Sequence, residues 1–138
     1  MRIVLFFAFF GHGLVSLGLS SSYTLHYNII DAVNFSSIDT AKLLNIHAYL
    51  DIVIAFLLLF NFKMRQLSYF VLGYIFLIAI SSLIFYWETT GSVFGISEFF
   101  RRLPWIFFLL FIISDCYNRP KYHYIRIGLS FAFISHGL

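Results

Sequence analysis

The sequence predicts an all-α membrane protein, with a four-helix transmembrane bundle followed by a partial fifth helix that repeats the first. Three observations lead to this fold class. Hydrophobic residues make up 61% of the 138 residues and charged residues only 11%, against roughly 25% charged in soluble domains. Apolar stretches close to the length that crosses a bilayer follow one another, separated by polar links. The first residues of the chain are also similar in sequence to its last residues, and such internal repeats indicate how a chain is organised.

The first apolar stretch, Ile3–Leu19, follows Arg2 directly and carries one ionisable residue, His12, between two glycines. Residues 2–14 align without a gap with residues 126–138, at a constant offset of 124. Nine of these thirteen aligned positions are identical.

The second copy has too few residues to cross a bilayer. A helix that begins near Tyr124 has fifteen residues left, fewer than the roughly 17–25 that a spanning helix needs. We therefore interpret residues 1–123 as one four-helix transmembrane unit and 124–138 as the start of a second repeat with a truncated helix. This interpretation makes the chain a fragment of a longer tandem-repeat protein. The alternative is a short closing helix whose likeness to the first is an evolutionary relic.

Three further spans are predicted between the two copies: Leu43–Phe62, Leu67–Trp87 and Pro104–Cys116. Proline suits the first turn of a helix, so Pro104 is expected to open the fourth span. The connection Ser20–Lys42 is polar and long enough for a short helix or a hairpin. Lys63–Gln66 forms a brief polar link, and Glu88–Arg102 is a second polar connection that includes an interfacial turn.

The basic residues predict the orientation of the spans. With the amino terminus inside, six basic residues lie on the inner side: Arg2, Lys63, Arg65, Arg119, Lys121 and Arg126. Three lie on the outer side: Lys42, Arg101 and Arg102. The positive-inside rule therefore favours a cytoplasmic amino terminus. The net charge of +3 reflects these topology signals and does not indicate a nucleic-acid partner. The single cysteine, Cys116, excludes an internal disulfide and a multi-cysteine metal site.

Polar residues inside predicted spans are functional candidates by default. His12 lies about 10 Å below the outer face, at 1.5 Å per residue. His47 and Asp51 enter the second span from the same face and, four residues apart, project from one side of their helix. Glu88 closes the third helix above them. We expect these side chains to converge on one outward-opening pocket, where they are ligand or proton-relay candidates. His136 is the counterpart of His12 in the second copy.

Each candidate also has a purely structural interpretation. His12 can simply satisfy a hydrogen bond to a neighbouring helix. His47 and Asp51 can form a structural contact one turn apart, and Glu88 can be a solvated helix end. His26 and His123 fall outside the predicted spans, and nothing in the sequence singles them out. The sequence assigns no catalytic residue, and it contains no phosphate loop, metalloprotease helix or nucleophile elbow. Our hypothesis is that His12 approaches His47 or Asp51 closely enough to share a proton, a ligand or a metal.

Three motifs carry a resemblance to a known family: Phe9-Phe10-Gly11-His12-Gly13, His47-Ala48-Tyr49-Leu50-Asp51-Ile52 and Glu98-Phe99-Phe100-Arg101-Arg102. With the four-helix unit, they resemble the DoxX-like integral membrane proteins, in particular an uncharacterised branch with Gly-His-Gly in its first helix. The chain departs from that branch after the third helix, where it reads Glu88-Thr89-Thr90-Gly91, and before the fourth, where it reads Leu103-Pro104. The resemblance implies the fold and carries no catalytic residue onto this chain.

Better-known DoxX-like proteins resemble quinone-linked thiosulfate oxidation subunits. The resemblance therefore implies a redox-associated membrane subunit in a bacterial inner membrane, in which the histidines bind haem or face a quinone. The alternative is a non-enzymatic bundle that acts as a scaffold or as a pathway for a small solute or protons. The expected partners are the lipid bilayer and other membrane subunits or further copies of the chain.

Overall fold

The computed structural model describes the backbone of residues 1–32, 34, 37–89, 92–117 and 121–137, and the side chains of these residues except 32, 86–89, 92–98 and 135–137. The described residues form helices and links and contain no strand. Six α-helices follow one another: α1 Arg2–Leu14, α2 Tyr23–Ala32, α3 Thr40–Leu59, α4 Met64–Thr89, α5 Ser92–Cys116 and α6 His123–Gly137. A π-helical segment, Val15–Leu19, continues α1. The predicted all-α class is confirmed.

Within the part of the chain that the structure describes, three helices are long and apolar enough to cross a membrane: Arg2–Leu19, Thr40–Leu59 and Met64–Phe85. They correspond to the first three predicted spans. Their length and apolar composition are those of membrane-spanning helices, which is consistent with an integral membrane protein. Helix α3 begins three residues before its predicted start, because Asp39 caps it by accepting a hydrogen bond from the backbone N–H of Lys42. The predicted Lys63–Gln66 link is shifted, since α4 already begins at Met64.

The chain divides into two compact units, Arg2–Phe62 and Lys63–Leu138. The first contains α1, the π-helical segment, α2 and α3, and the second contains α4, α5 and α6. A four-helix bundle over residues 1–123 stays a prediction, as does a repeat that begins at residue 124. A repeat boundary marks sequence similarity and does not have to coincide with the boundary of a compact unit.

In the first unit, α1 packs against α3 along one face of each helix. The buried residues of α1 are Leu5, Phe9 and Gly13. Those of α3 are Thr40, Leu44, Ala48, Asp51, Ile54, Ala55 and Leu58. These positions recur every three or four residues, as expected of one buried helix face. Asp51 is the one acidic residue among them, so the packing itself brings a carboxyl group into the apolar contact between the helices.

The connection Ser20–Lys42 was predicted to hold a short helix or a hairpin. The structure has a helix there, α2. A polar network joins its end to the start of α3: the hydroxyl of Thr40 donates to Asp31, 2.7 Å away, and the side-chain amide of Asn34 donates to the carbonyl of Ile38 at 2.8 Å. Before α2, Gly18 has a φ of +88°, a conformation that side chains other than glycine rarely adopt. This turn ends the π-helical segment and lets α2 fold back toward α1 and α3.

In the second unit, α5 packs against both α4 and α6. The prediction that a helix opens at Pro104 is wrong, since α5 begins at Ser92 and carries Pro104 inside it. Apolar helices tolerate an internal proline when neighbouring groups satisfy the freed carbonyl. The predicted interfacial turn before Pro104 is accordingly helical backbone. Gly128 of α6 lies against Phe108 of α5, where an added Cβ would lie 2.9 Å from the ring.

Candidate functional site

The centre of the candidate site is a hydrogen bond between α1 and α3. Nδ1 of His12 lies 2.7 Å from Oδ2 of Asp51, although the two residues are 39 positions apart in the sequence. Asp51 is fully buried, and the His12 side chain retains 13% of its exposure. A carboxylate accepts and the imidazole N–H donates, so the contact satisfies a buried acidic group that apolar surroundings would otherwise disfavour.

His47 is the third member of this arrangement. Its Nε2 lies 3.5 Å from the same Oδ2 of Asp51, and its side chain is 12% exposed. One nitrogen or oxygen from each of His12, His47 and Asp51 lies within 4.8 Å of the others. We call these three residues the histidine–aspartate cluster. The predicted approach of His12 to Asp51 is therefore found, whereas the role of the cluster stays a prediction.

Gly13 explains why the two helices come close enough for this contact. A Cβ at Gly13 would lie 2.8 Å from both the carbonyl oxygen of Ala48 and Cγ1 of Ile52. Real Cβ atoms are hardly ever that close to a backbone oxygen, so glycine permits an approach that any larger residue would prevent. Gly11, on the other side of His12, has open space around it. Of the two glycines that flank His12, Gly13 is the one that lies against the neighbouring helix.

His26 is a neighbour of the cluster that the sequence did not reveal. Its ring centroid lies 4.3 Å from that of His12, and its Nδ1 shares a 2.7 Å hydrogen bond with the hydroxyl of the fully buried Ser16. Ser16 belongs to the π-helical segment, a kind of irregularity often found at functional sites. The available signal was the helical spacing of Tyr23, His26 and Ile30, which predicts that His26 shares a face of a short helix.

The other two candidates cannot be assigned to the cluster. Glu88 lies in α4 and His136 in α6, but the side chains of both lie outside the described residues. They also belong to the second compact unit, Lys63–Leu138. Their roles therefore stay predictions.

The geometry does not fit a haem held between His12 and His47. Two axial histidines must face each other across a slot wide enough for the macrocycle. Here the two imidazole nitrogens both face one oxygen of Asp51, at 2.7 and 3.5 Å. The ring centroids are 5.4 Å apart and the rings are nearly perpendicular. His26 offers no better partner, because its ring is in contact with that of His12.

Comparisons with protein-family models, curated proteins and solved structures find no match to this chain.

Proposed function

We propose that this chain is a redox-associated subunit of the bacterial inner membrane, of the DoxX-like kind, with the histidine–aspartate cluster as its working centre. The observation that carries the proposal is the fully buried Asp51 between two imidazoles, within helices apolar enough to cross a membrane. An aspartate at the centre of a membrane helix costs roughly 2.5–3.5 kcal/mol on insertion scales. A hydroxyl would join two helices at lower cost, which supports a chemical role for the carboxyl group.

The cluster has the composition that a redox partner in a membrane requires. Reduction of a quinone by an electron-donating partner subunit takes up two protons with two electrons, and histidine is the side chain that exchanges protons near neutral pH. Both imidazoles retain an exposed edge while the carboxylate between them is enclosed. An imidazole that donates to Asp51 through one ring nitrogen can take up a proton at the other and release it again, so the cluster can exchange protons with a bound quinone. The resemblance to DoxX-like proteins adds the quinone-linked context, and the six-to-three basic asymmetry favours a cytoplasmic amino terminus.

The test measures the redox state of the quinone pool in bacteria that lack the gene and are complemented with variants. We expect the wild-type gene and the control His123→Gln, an exposed histidine of α6, to restore the quinol fraction. We expect His12→Gln to fail while the protein reaches the membrane at a normal level. The proposal is overturned if His12→Gln restores the quinol fraction as fully as the wild type, or if deletion of the gene leaves it unchanged.

A second candidate function, a proton pathway, is favoured by the number of polar side chains that contact one another in a row. From His47 through Asp51 and His12 to His26 and Ser16, each side chain is in contact with the next. Such a row suits a proton pathway that needs no electron donor. Protein reconstituted in liposomes with an internal pH-sensitive dye discriminates the two functions. A proton flux driven by a potential alone and abolished in Asp51→Asn would favour the pathway, and its absence would favour the redox subunit.

A further inference from the structure

We infer that the histidine–aspartate cluster is a binding site for one divalent transition-metal ion, with His12, His47 and Asp51 as its protein ligands. This inference rests on the proposed function to the extent that it names what the same cluster binds. The sequence leaves open whether His12 shares a proton, a ligand or a metal with His47 or Asp51, because these residues come from two separate helices and only two of them have a regular spacing.

The three ligand atoms lie within 4.8 Å of one another, and the two distances that involve Asp51 can be compared with those of a metal centre. Metal–nitrogen and metal–oxygen bonds of about 2.0–2.2 Å in a tetrahedral arrangement separate neighbouring ligand atoms by about 3.3–3.5 Å. Nε2 of His47 and Oδ2 of Asp51 are 3.5 Å apart, which already matches this separation. Nδ1 of His12 and the same oxygen are 2.7 Å apart, so they must separate by roughly 0.6–0.8 Å as the ion replaces the shared proton.

The types of ligand select the class of ion. Two imidazoles and one carboxylate are the protein ligands of catalytic zinc sites and of non-haem iron(II) sites, both of which keep open positions. Magnesium and calcium prefer oxygen ligands, so a site rich in imidazole disfavours them. A divalent cation would also compensate the fully buried carboxylate of Asp51 more completely than a neutral imidazole does.

The surroundings hold the ligands in place. Gly13 keeps α1 against α3, with its Cβ position 3.3 Å from Cβ of Asp51, so the backbone positions of His12 and Asp51 are fixed relative to each other. The ring of His26 lies against that of His12 and is itself tied to Ser16. This ring contact limits the rotation of the His12 imidazole. His26 is therefore a positioning residue, and the remaining coordination positions are left for water or substrate.

The experiment uses the full chain, purified in lipid nanodiscs through a tag without histidine and stripped with a chelator. Cobalt(II) is the probe, because it substitutes for zinc and its visible absorption reports the coordination geometry. We expect one cobalt ion per chain with tetrahedral or five-coordinate absorption. His47→Gln and Asp51→Asn should each weaken binding by at least about 10–100-fold, the loss that removal of an orienting partner alone produces. The control His123→Gln should bind as the wild type does.

The inference is overturned if wild-type protein binds less than stoichiometric cobalt, or if both substitutions leave the affinity unchanged, as a purely structural hydrogen bond would require. His47→Gln keeps the test decisive if Asp51→Asn does not fold, because His47 is partly exposed and its loss opens no buried gap. The two proposals fail separately. Absence of cobalt binding with a quinol defect in His12→Gln overturns the metal site alone, and cobalt binding with an unchanged quinone pool overturns the redox function alone.

Discussion

The Nδ1 atom of His12 and the Oδ2 atom of Asp51 lie 2.7 Å apart and join α1 to α3 across 39 residues of sequence. The contact lies in the tightly packed part of the first unit, one residue from the glycine that lets the helices approach. The pair lies beside the tight contact at Gly13, so the spacing of the two helices sets the distance between His12 and Asp51. Substitutions that separate the helices are therefore expected to alter the cluster even when they leave its residues unchanged.

Gly13→Ala is the sharpest test of that coupling. The added Cβ would lie 2.8 Å from the backbone oxygen of Ala48, and because a backbone atom cannot rotate away, α1 must shift. We expect a loss of about 1–3 kcal/mol in the free energy of unfolding, typical of overpacking. The measurement is unfolding by SDS in mixed micelles, followed by circular dichroism.

The matched control for that substitution is Gly11→Ala, two residues away in the same helix. An added Cβ there meets nothing within 4 Å, and alanine favours helix over glycine by up to about 1 kcal/mol. We expect this variant to be as stable as the wild type or more stable. Equal losses in the two variants would contradict the close contact at Gly13.

Ser16→Ala tests whether the π-helical segment orients His26. The substitution removes the hydroxyl that shares a hydrogen bond with Nδ1 of His26, so we expect a loss of about 0.5–1.5 kcal/mol in the free energy of unfolding. Ser130→Ala is the control, because that exposed hydroxyl donates only to the carbonyl one turn earlier, at Arg126. The same loss in both variants would show that the contact with His26 adds nothing.

The orientation in the membrane is tested by cysteine labelling at Gln66, an exposed residue in the first turn of α4. Cys116 is first replaced by serine, so that the introduced cysteine is the only one. We expect Gln66→Cys to resist a membrane-impermeant maleimide in intact cells and to react after lysis, since the basic residues favour an inner position. Ser37→Cys, in the link before α3, should react in intact cells. The opposite pattern would reverse the topology.

The first three spans could be predicted because apolar length alone identifies a membrane helix. Their ends depended on details that hydropathy does not report, such as the cap at Asp39 and the start of α4 at Met64. Pro104 misled the prediction because proline marks a helix start in soluble proteins but is tolerated inside apolar helices. The prediction that His12 and Asp51 lie close together is confirmed. It was possible because the depth of a residue in the membrane follows from its position along its helix.

His26 was missed for the opposite reason. It lies in a link that hydropathy treats as polar, and its contact with His12 depends on the turn at Gly18 and on the direction in which α2 folds back. No spacing within the sequence records that direction. The three proposed metal ligands likewise come from two helices, so their geometry follows only from the packing of α1 on α3.

The central claim, that His12 and Asp51 form one energetically coupled centre, is tested most directly by a double-mutant cycle of His12→Phe and Asp51→Leu. His12→Phe puts an apolar ring beside Asp51, which keeps His47 at 3.5 Å, and Asp51→Leu puts an apolar side chain beside His12. The double variant removes both members of the pair. We expect a coupling free energy above about 1 kcal/mol by SDS unfolding, given values near 0.6 and up to about 1.7 kcal/mol for polar pairs in membranes. The control cycle of His12→Phe with Asp39→Ala, at the far end of α3, should be additive within about 0.3–0.5 kcal/mol. Additivity of His12→Phe and Asp51→Leu within that same margin would contradict the account.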